Sequence, residues 1–199
     1  MAGLRYGIAL VFLMVIPGGI TYWFWIHPFI RFWRRLGPTL TLVLNFALLV
    51  LWASLVFHWR ATLLPVQSGA NPVFIAVGVP LLVLTIGIRI RLLKQLTPKA
   101  LIGLPEIAPD RFPPRLVTGG IYSRIRHPRY VEIFLVTLGF ALIANYLAVY
   151  LAAVLVTAEL YLIVLLEEKE LRARFGSEYD TYAKNVPRFI PKLRRGRSG

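Results

Sequence analysis

The chain contains no cysteine. Disulfides, thiolate metal sites and a cysteine nucleophile are thereby excluded. Its three histidines, His27, His58 and His127, lie far apart and have no ligand-type partner at helical spacing, so no metal site is expected. Acidic residues are scarce: 9 against 23 Lys and Arg in 199 residues, a net charge of +14. In a soluble protein that imbalance would point to nucleic acid. Here only 16% of residues are charged and 57% are hydrophobic, above the ~45–50% of soluble domains. The positive charge is therefore read as loop charge following membrane topology, and no nucleic-acid partner is expected.

What is present is a series of hydrophobic segments. The first runs from Leu4 to Ile26 with a break expected at Pro17-Gly18-Gly19; no small-residue cleavage site follows it, unlike a signal peptide, and Trp23 and Trp25 read as an interfacial belt. The second runs from Thr39 to Phe57. The third starts at Pro72, stays apolar to Ile88 and turns amphipathic through Arg89 to Leu96. Five prolines between Thr97 and Pro114 forbid a continuous helix there and predict an ordered loop or flap. The apolar stretch Val131 to Leu166 is 36 residues long. As one helix it would measure ~54 Å, against a bilayer core of ~30 Å, so it is expected to fold back near Asn145-Tyr146. Pro128 suits the first position of the fourth helix, running to Ala144. The fifth runs from Leu147 to about Glu170 and emerges from the membrane, and Gly176 ends the emergent helix.

The predicted fold is all-α: a polytopic membrane helix bundle of about five transmembrane helices, the last two forming a hairpin. It is read as a single integral-membrane domain over 1–199, with three spans in 1–96, a loop in 97–130, the hairpin in 131–170 and a tail in 171–199 whose last six residues look disordered. All Lys and Arg except Arg5 and Arg60 fall in the loop after the first span, the region between spans three and four, and the tail. This bias predicts an N-terminus outside and a C-terminus in the cytoplasm.

The hairpin returns two polar clusters to one membrane face: GGIYSRIRHPRY, residues 119–130, and EEKELRARFGSEYDTY, residues 167–182, followed by VPRFIP, residues 186–191. His127 and Pro128 stand where a loop enters a helix, whose exposed N–H groups favour an anion. Arg124, Arg126 and Arg129 add positive charge, and Tyr122 and Tyr130 offer aromatic faces to a cation. Glu167 and Glu168 can accept hydrogen bonds from an amine or a ribose. The set suits a zwitterionic, partly aromatic ligand such as S-adenosylmethionine.

From Val117 to Pro191 the pattern LVTGGIYSRIRHPRY, apolar hairpin, EEKEL and FGSEYDTYAKNVPRFIP resembles the integral-membrane methyltransferases grouped around isoprenylcysteine carboxyl methyltransferase and the phospholipid N-methyltransferases. The resemblance implies S-adenosylmethionine as cofactor, a pocket at the cytoplasmic face and a lipid or lipid-like acceptor drawn from the membrane. By position it assigns Leu116, Val117, Tyr122, the stretch His127 to Tyr130 with Pro128, and Glu167 to cofactor binding; the charge of Arg126 and the carboxylate of Glu168 place these two in the expected cofactor set as well. The chain departs from the prenylcysteine enzymes at Ile163, where they carry an arginine assigned to substrate, at Pro114, where they tend to have histidine, and at Glu132, where the family usually has glycine. An acceptor without a carboxylate is therefore expected.

Methyl transfer from a sulfonium needs alignment and a desolvated nucleophile; an amine or phenol acceptor gains from a base. Glu132 and Glu159 are the candidate catalytic residues, because carboxylates within a span cost ~2.5–3.5 kcal/mol on insertion scales and so usually have a reason to be there. Two other classes compete. Membrane sterol reductases, which use NADPH, resemble the chain through RHP-x-Y, but carry arginine-aspartate near Glu167-Glu168 and asparagine at Arg129. A non-catalytic transporter or scaffold would line a path across the bilayer, whereas these polar residues gather on one face. Neither the acceptor nor the oligomeric state is legible.

Overall fold

In a computed structural model, residues 2–65 and 68–192 are described; the expected disorder of the last six residues falls outside them. Among the described residues the regular elements are all helices. Four helices are long and apolar enough to cross a membrane: α1 (Ala2–Ile26), α3 (Pro38–His58), α5 (Pro72–Leu93) and α9 (Leu147–Phe175). A fifth member of the bundle, α8 (Pro128–Ala144), has 17 residues and pairs with α9 as the expected hairpin. Short helices decorate the ends: α2 (Ile30–Leu36), α4 (Arg60–Leu63), α6 (Pro98–Leu101), α7 (Leu104–Ile107) and α10 (Ser177–Asn185). Large apolar side chains such as Phe46, Leu51, Val73 and Ile86 lie exposed along α3 and α5, the surface of a helix solvated by lipid.

The expected break in the first segment does not occur: α1 continues through Pro17. Proline lacks the N–H that would bond the carbonyl four residues back. That carbonyl, of Leu13, accepts instead from the Trp52 indole N–H of α3 at 2.9 Å. Gly18 admits the ring, since a Cβ there would lie 2.8 Å from Trp52. The freed backbone acceptor is thus satisfied by a neighbouring helix, which is how membrane helices tolerate proline.

Helices α5 and α8 meet through glycines. A Cβ at Gly78 would lie 2.9 Å from the Gly139 carbonyl, and one at Gly139 3.1 Å from the Gly78 carbonyl. Small residues let membrane helices approach to backbone contact, where packing stabilises them in place of the hydrophobic effect. Asn71 caps α5, its side-chain oxygen accepting from the backbone N–H groups of Val73 (2.9 Å) and Phe74 (3.2 Å).

The hairpin turns at Asn145, the one non-glycine residue with positive φ (55°) among those described, and asparagine tolerates this left-handed conformation better than most residues. Its side chain donates to the Gly69 carbonyl at 3.0 Å and accepts from the Tyr150 hydroxyl at 2.9 Å. Arg5, buried on α1, donates twice to the Ala144 carbonyl, at 3.1 and 2.8 Å. These bonds satisfy the last carbonyls of α8 and fasten the N-terminus of α1 to the hairpin turn. The far end of α1 consequently lies with the start of α8, the end of α5 and the emerging part of α9, where Arg89 of α5 meets Glu132 of α8 at 2.6 Å.

Candidate ligand site at the motif end of the bundle

The spacing of the two clusters has a structural cause: their backbones are joined. The N–H of Arg126 donates to the Pro187 carbonyl at 2.8 Å and that of His127 to the Arg188 carbonyl at 3.1 Å. The Arg126 guanidinium donates to the Ala183 and Val186 carbonyls at 2.6 and 2.7 Å, completing the end of α10. The Tyr182 hydroxyl donates to the Tyr122 carbonyl at 2.7 Å. Gly176 (φ 53°) turns the chain from α9 into α10 and so brings the tail back over the RHP segment.

Glu168 is the electrostatic centre of this joint. It is almost wholly buried and accepts from Arg126 at 2.8 Å and from Arg188 at 2.9 and 2.7 Å, while His127 Nε2 lies 3.1 Å from the same carboxylate. Two guanidinium groups and an imidazole converge on one carboxylate, and a third guanidinium, of Arg172, lies 3.6 Å from it. Burying a carboxylate is costly unless its charge and lone pairs are met in this way.

In front of the joint lies a cavity of about 360 Å³, within the ~300–1,000 Å³ of small-molecule sites. Leu116, Val117, Tyr122, Arg126, His127, Tyr130 and Glu167 line it, so seven of the expected cofactor residues share one wall. Pro128 and Glu168 stand behind it. Glu132 and Glu159, expected as catalytic residues, are not among the lining residues: Glu132 pairs with Arg89, and Glu159 accepts from the Thr21 hydroxyl of α1 at 3.3 Å. Ile163, at the position where the prenylcysteine enzymes carry their substrate arginine, is completely buried in a cluster with Ile20, Trp23, Tyr130 and Val164. The stripe Glu159, Ile163, Glu167 therefore faces α1 over its first two members and opens onto the cavity only at the third.

The first span contributes more than the sequence suggested. Trp23 of α1 and His27, the residue just after that helix, line the cavity, and Arg129 sits over the Trp23 ring with its guanidinium carbon 4.4 Å from the centroid. His27 Nδ1 lies 2.9 Å from Glu170, which also meets Arg34 at 3.7 Å and pairs with Arg174. The proline-rich flap supplies the opposite wall through α6 and α7. Gly103 has φ 80° and packs on Trp23, where a Cβ would come within 2.8 Å of the ring; any other residue meets both backbone strain and a clash. Arg34 of α2 holds the flap by donating to the Glu106 carbonyl at 2.9 Å.

Much of the polar capacity of this wall is unused. Glu167 Oε2, Glu106 Oε2, His27 Nε2, Arg126 Nε and the Tyr179 hydroxyl are buried and have no hydrogen-bond partner, and all five belong to lining residues. Buried polar atoms normally find partners, so five in one cavity mark a surface shaped for a polar ligand. The phenols add neutral donors: burial raises Tyr122 well above the ordinary range and pushes Tyr179 and Tyr182 up to about 12. Trp23, His27 and Glu106 escaped sequence reasoning because no motif surrounds them. The only signals were the short Trp-rich end of the first span and one carboxylate within a run of prolines.

The arrangement is a bundle of membrane helices with a polar, aromatic-walled ligand cavity at one end, sealed by the backbone pairing of two motifs. The sequence pattern of the phospholipid methyltransferase family matches residues 73–178, more than half of the chain, and the chain belongs to that family. Among curated relatives it is similar to the protein-S-isoprenylcysteine O-methyltransferase of Schizosaccharomyces pombe, 38% identical over 79 residues, 39% of this chain and 34% of that protein. It is also similar to the nickel-cobalt-cadmium resistance protein NccN of Alcaligenes xylosoxydans xylosoxydans, 36% identical over 83 residues, 42% of this chain and 39% of that protein. The cobalt-zinc-cadmium resistance protein CzcN of Cupriavidus metallidurans is 39% identical over 78 residues, 39% of this chain and 36% of that protein. The chain thus spans just over a third of the length of these relatives. No solved structure matches it. Among the described residues no three His, Cys, Asp or Glu side chains are grouped as a metal site.

Proposed function

We propose that this protein is an S-adenosylmethionine-dependent methyltransferase acting on a lipid or lipid-like amphiphile at the cytoplasmic membrane face. The observation that carries the reading is the buried Oε2 of Glu167, which accepts no hydrogen bond and lies 3.7 Å from His127 Nδ1, in a cavity built from the RHP and tail motifs. A donor-rich ligand meets that oxygen. S-adenosylmethionine fits the remaining wall: Tyr122, Tyr130 and Trp23 offer ring faces for its sulfonium and adenine. Arg115, an exposed lining residue paired with no carboxylate among the described residues, is available to its carboxylate. Leu116 and Val117 supply apolar edge.

When bound, the cofactor supplies an electrophilic methyl group on sulfur. The protein orients and desolvates. His127, clamped by Glu168 and by its own N–H to the tail, fixes the floor of the cavity. Glu168 and Pro128 act as positioning residues, one through charge and the other by starting α8 where the motif ends. Methyl transfer by in-line displacement gains chiefly from such alignment. The cytoplasmic assignment rests on charge: the basic loops and tail flank the cavity end, whereas Arg60 lies beyond the other end of α3 and Arg5 at the start of α1. Membrane lipids are the implied source of the acceptor, through the apolar outer surface of the bundle.

Thermal unfolding of detergent-purified protein with S-adenosylhomocysteine tests the reading. A ligand at 100 times its Kd stabilises the native state by ~2.7 kcal/mol. We expect that stabilisation in the native sequence and its loss in Glu167→Ala. Stabilisation by NADPH and not by S-adenosylhomocysteine would overturn it in favour of a reductase.

A further inference from the structure

A second cavity, of about 670 Å³, lies between α1, α2 and α3 and shares no lining residue with the first. Tyr22, Trp25, Phe29, Phe32, Trp33 and Trp52 make its walls aromatic. Its polar side chains are already engaged. The Thr21 hydroxyl donates to Glu159 at 3.3 Å, the Trp33 indole to the Trp25 carbonyl at 3.2 Å, the Asn45 amide to the Thr41 carbonyl at 2.7 Å, and the Trp52 indole to the Leu13 carbonyl at 2.9 Å. Among the described residues, none of the buried polar atoms left without a partner belongs to this lining. The motif cavity holds unmet polar atoms; this one offers hydrocarbon and ring faces, which suit an apolar chain. Trp25, Phe29 and Phe32 at its edge are exposed, so it opens to the surroundings of the bundle, which in a bilayer are lipid.

The helix α2 sets what kind of chain enters. Phe32 and Trp33 line the cavity, while Arg31 and Arg35, four residues apart, share another side of the helix. Both arginines are exposed, and neither makes an ion pair or hydrogen bond among the described residues. Arg34 is spent on the Glu106 carbonyl and on Glu170. The run from His27 to Leu36 contains no acidic residue that could neutralise the free pair. Aromatic residues on one side of a short helix and arginines on the other are the pattern of a helix lying in the headgroup layer. Two uncompensated cations over an apolar groove complement one ligand: a hydrocarbon chain with a negative head.

We propose that this second cavity binds an anionic phospholipid, with an acyl chain in the aromatic groove and the headgroup phosphate on Arg31 and Arg35. The lipid is a bound component of the bundle and not the ligand of the motif cavity, so the site stands independently of the methyltransferase reading. Its occupancy has a consequence for the flap. The helix that carries Arg31 and Arg35 also carries Arg34, which holds the flap at Glu106. A lipid that steadies α2 therefore steadies the flap.

Native mass spectrometry of detergent-purified protein tests the site, with dioleoylphosphatidylglycerol and dioleoylphosphatidylcholine as probes of equal chains and different charge. Each basic residue near an anionic headgroup strengthens attachment about fivefold, so the pair should favour the anionic lipid by at least about tenfold. The double variant Arg31→Gln, Arg35→Gln should lose that preference and keep its fold, since both side chains are exposed. Arg91→Gln with Lys94→Gln, which removes two exposed cations at the end of α5, should leave the preference intact. An equal loss in both double variants would mean that overall charge attracts the lipid, and overturns the site. Leu48→Trp, which fills the groove, should weaken retention of both lipids while the protein stays folded; unchanged retention overturns the placement of the chain. A protein dimer that Leu48→Trp abolishes would put a second copy in the groove and also overturns the proposal. Hydrogen exchange over residues 97–107 should slow on adding phosphatidylglycerol to the native sequence and not to the Arg31, Arg35 variant. Exchange left unchanged by bound lipid refutes the link to the flap.

Discussion

The two ends of the bundle use polar residues in opposite ways. At the hairpin end, Arg5 donates to the Ala144 carbonyl, Asn145 to Gly69, and Tyr150 to Asn145. The polar groups in this knot pair with one another and tie three chain segments together. At the motif end, Glu168 is equally saturated, but the layer in front of it holds five buried polar atoms without partners. A satisfied polar network rigidifies; an unsatisfied one costs stability until something fills it. The comparison separates the joint that shapes the cavity from the wall that meets a ligand, although both are built from neighbouring residues of the same motifs. Glu167 and Glu168 are adjacent in sequence and fall on opposite sides of that line.

Glu168→Gln is the largest expected blow to this distinction. It leaves the buried Arg126 and the half-exposed Arg188 around a neutral amide. Breaking a buried pair by removing one partner typically costs ~3–5 kcal/mol. Chemical denaturation in detergent should show that loss, together with loss of the S-adenosylhomocysteine response as the cavity floor moves. A stability equal to that of the native sequence would mean that the joint is not held by charge. Arg5→Ala comes next. Loss of hydrogen bonds from a charged donor costs ~1.5–3 kcal/mol, and the response to S-adenosylhomocysteine should survive because the damage is at the other end.

Trp52→Phe removes the donor that satisfies the Leu13 carbonyl. A loss of ~1 kcal/mol is expected, seen as a Tm lowered by about 2–4 °C for a chain of this size. The smallest effect sharpens the picture of the flap. The Glu106 carboxyl is raised in the folded state above its ordinary value, chiefly by burial, with Glu167 and Glu170 raising it further against Arg174. Its contribution to stability is therefore full below the unfolded value near 4.5 and is lost as pH rises through the folded one. Relative to Glu106→Gln, the native sequence without added ligand should lose stability as pH rises from about 4.5 toward neutrality. Paired denaturation curves at several pH values check the sign; native stability that stays level or rises relative to Glu106→Gln over that range refutes it.

Much of the bundle was legible because bilayer thickness and helical rise leave few choices. Pro128 and Asn145 mark the ends of α8 as expected, and Gly176 stops α9. The Pro17-Gly18-Gly19 stretch misled because the rule that proline breaks helices assumes an unsatisfied carbonyl, and Trp52 arrives from 39 residues away to satisfy it. Within the site, the RHP and tail motifs could be paired in advance because sequence spacing carried them together across the hairpin. Which of two adjacent glutamates faces the ligand could not, since a helix turns ~100° per residue and only the packing of α9 against α1 and the tail fixes its rotation.

Composition and segment length by themselves determined that this chain is a bundle of membrane helices with its charge gathered at one end. The motifs determined where a ligand would be met. The tertiary structure alone decided that Glu132 and Glu159 stand apart from the cavity, that Trp23 of the first span and His27 just beyond it complete it, and that Glu106 reaches it from the flap. Those assignments depend on contacts between residues far apart in the chain. Local pattern records which face of a helix is apolar, but not which neighbour that face will meet.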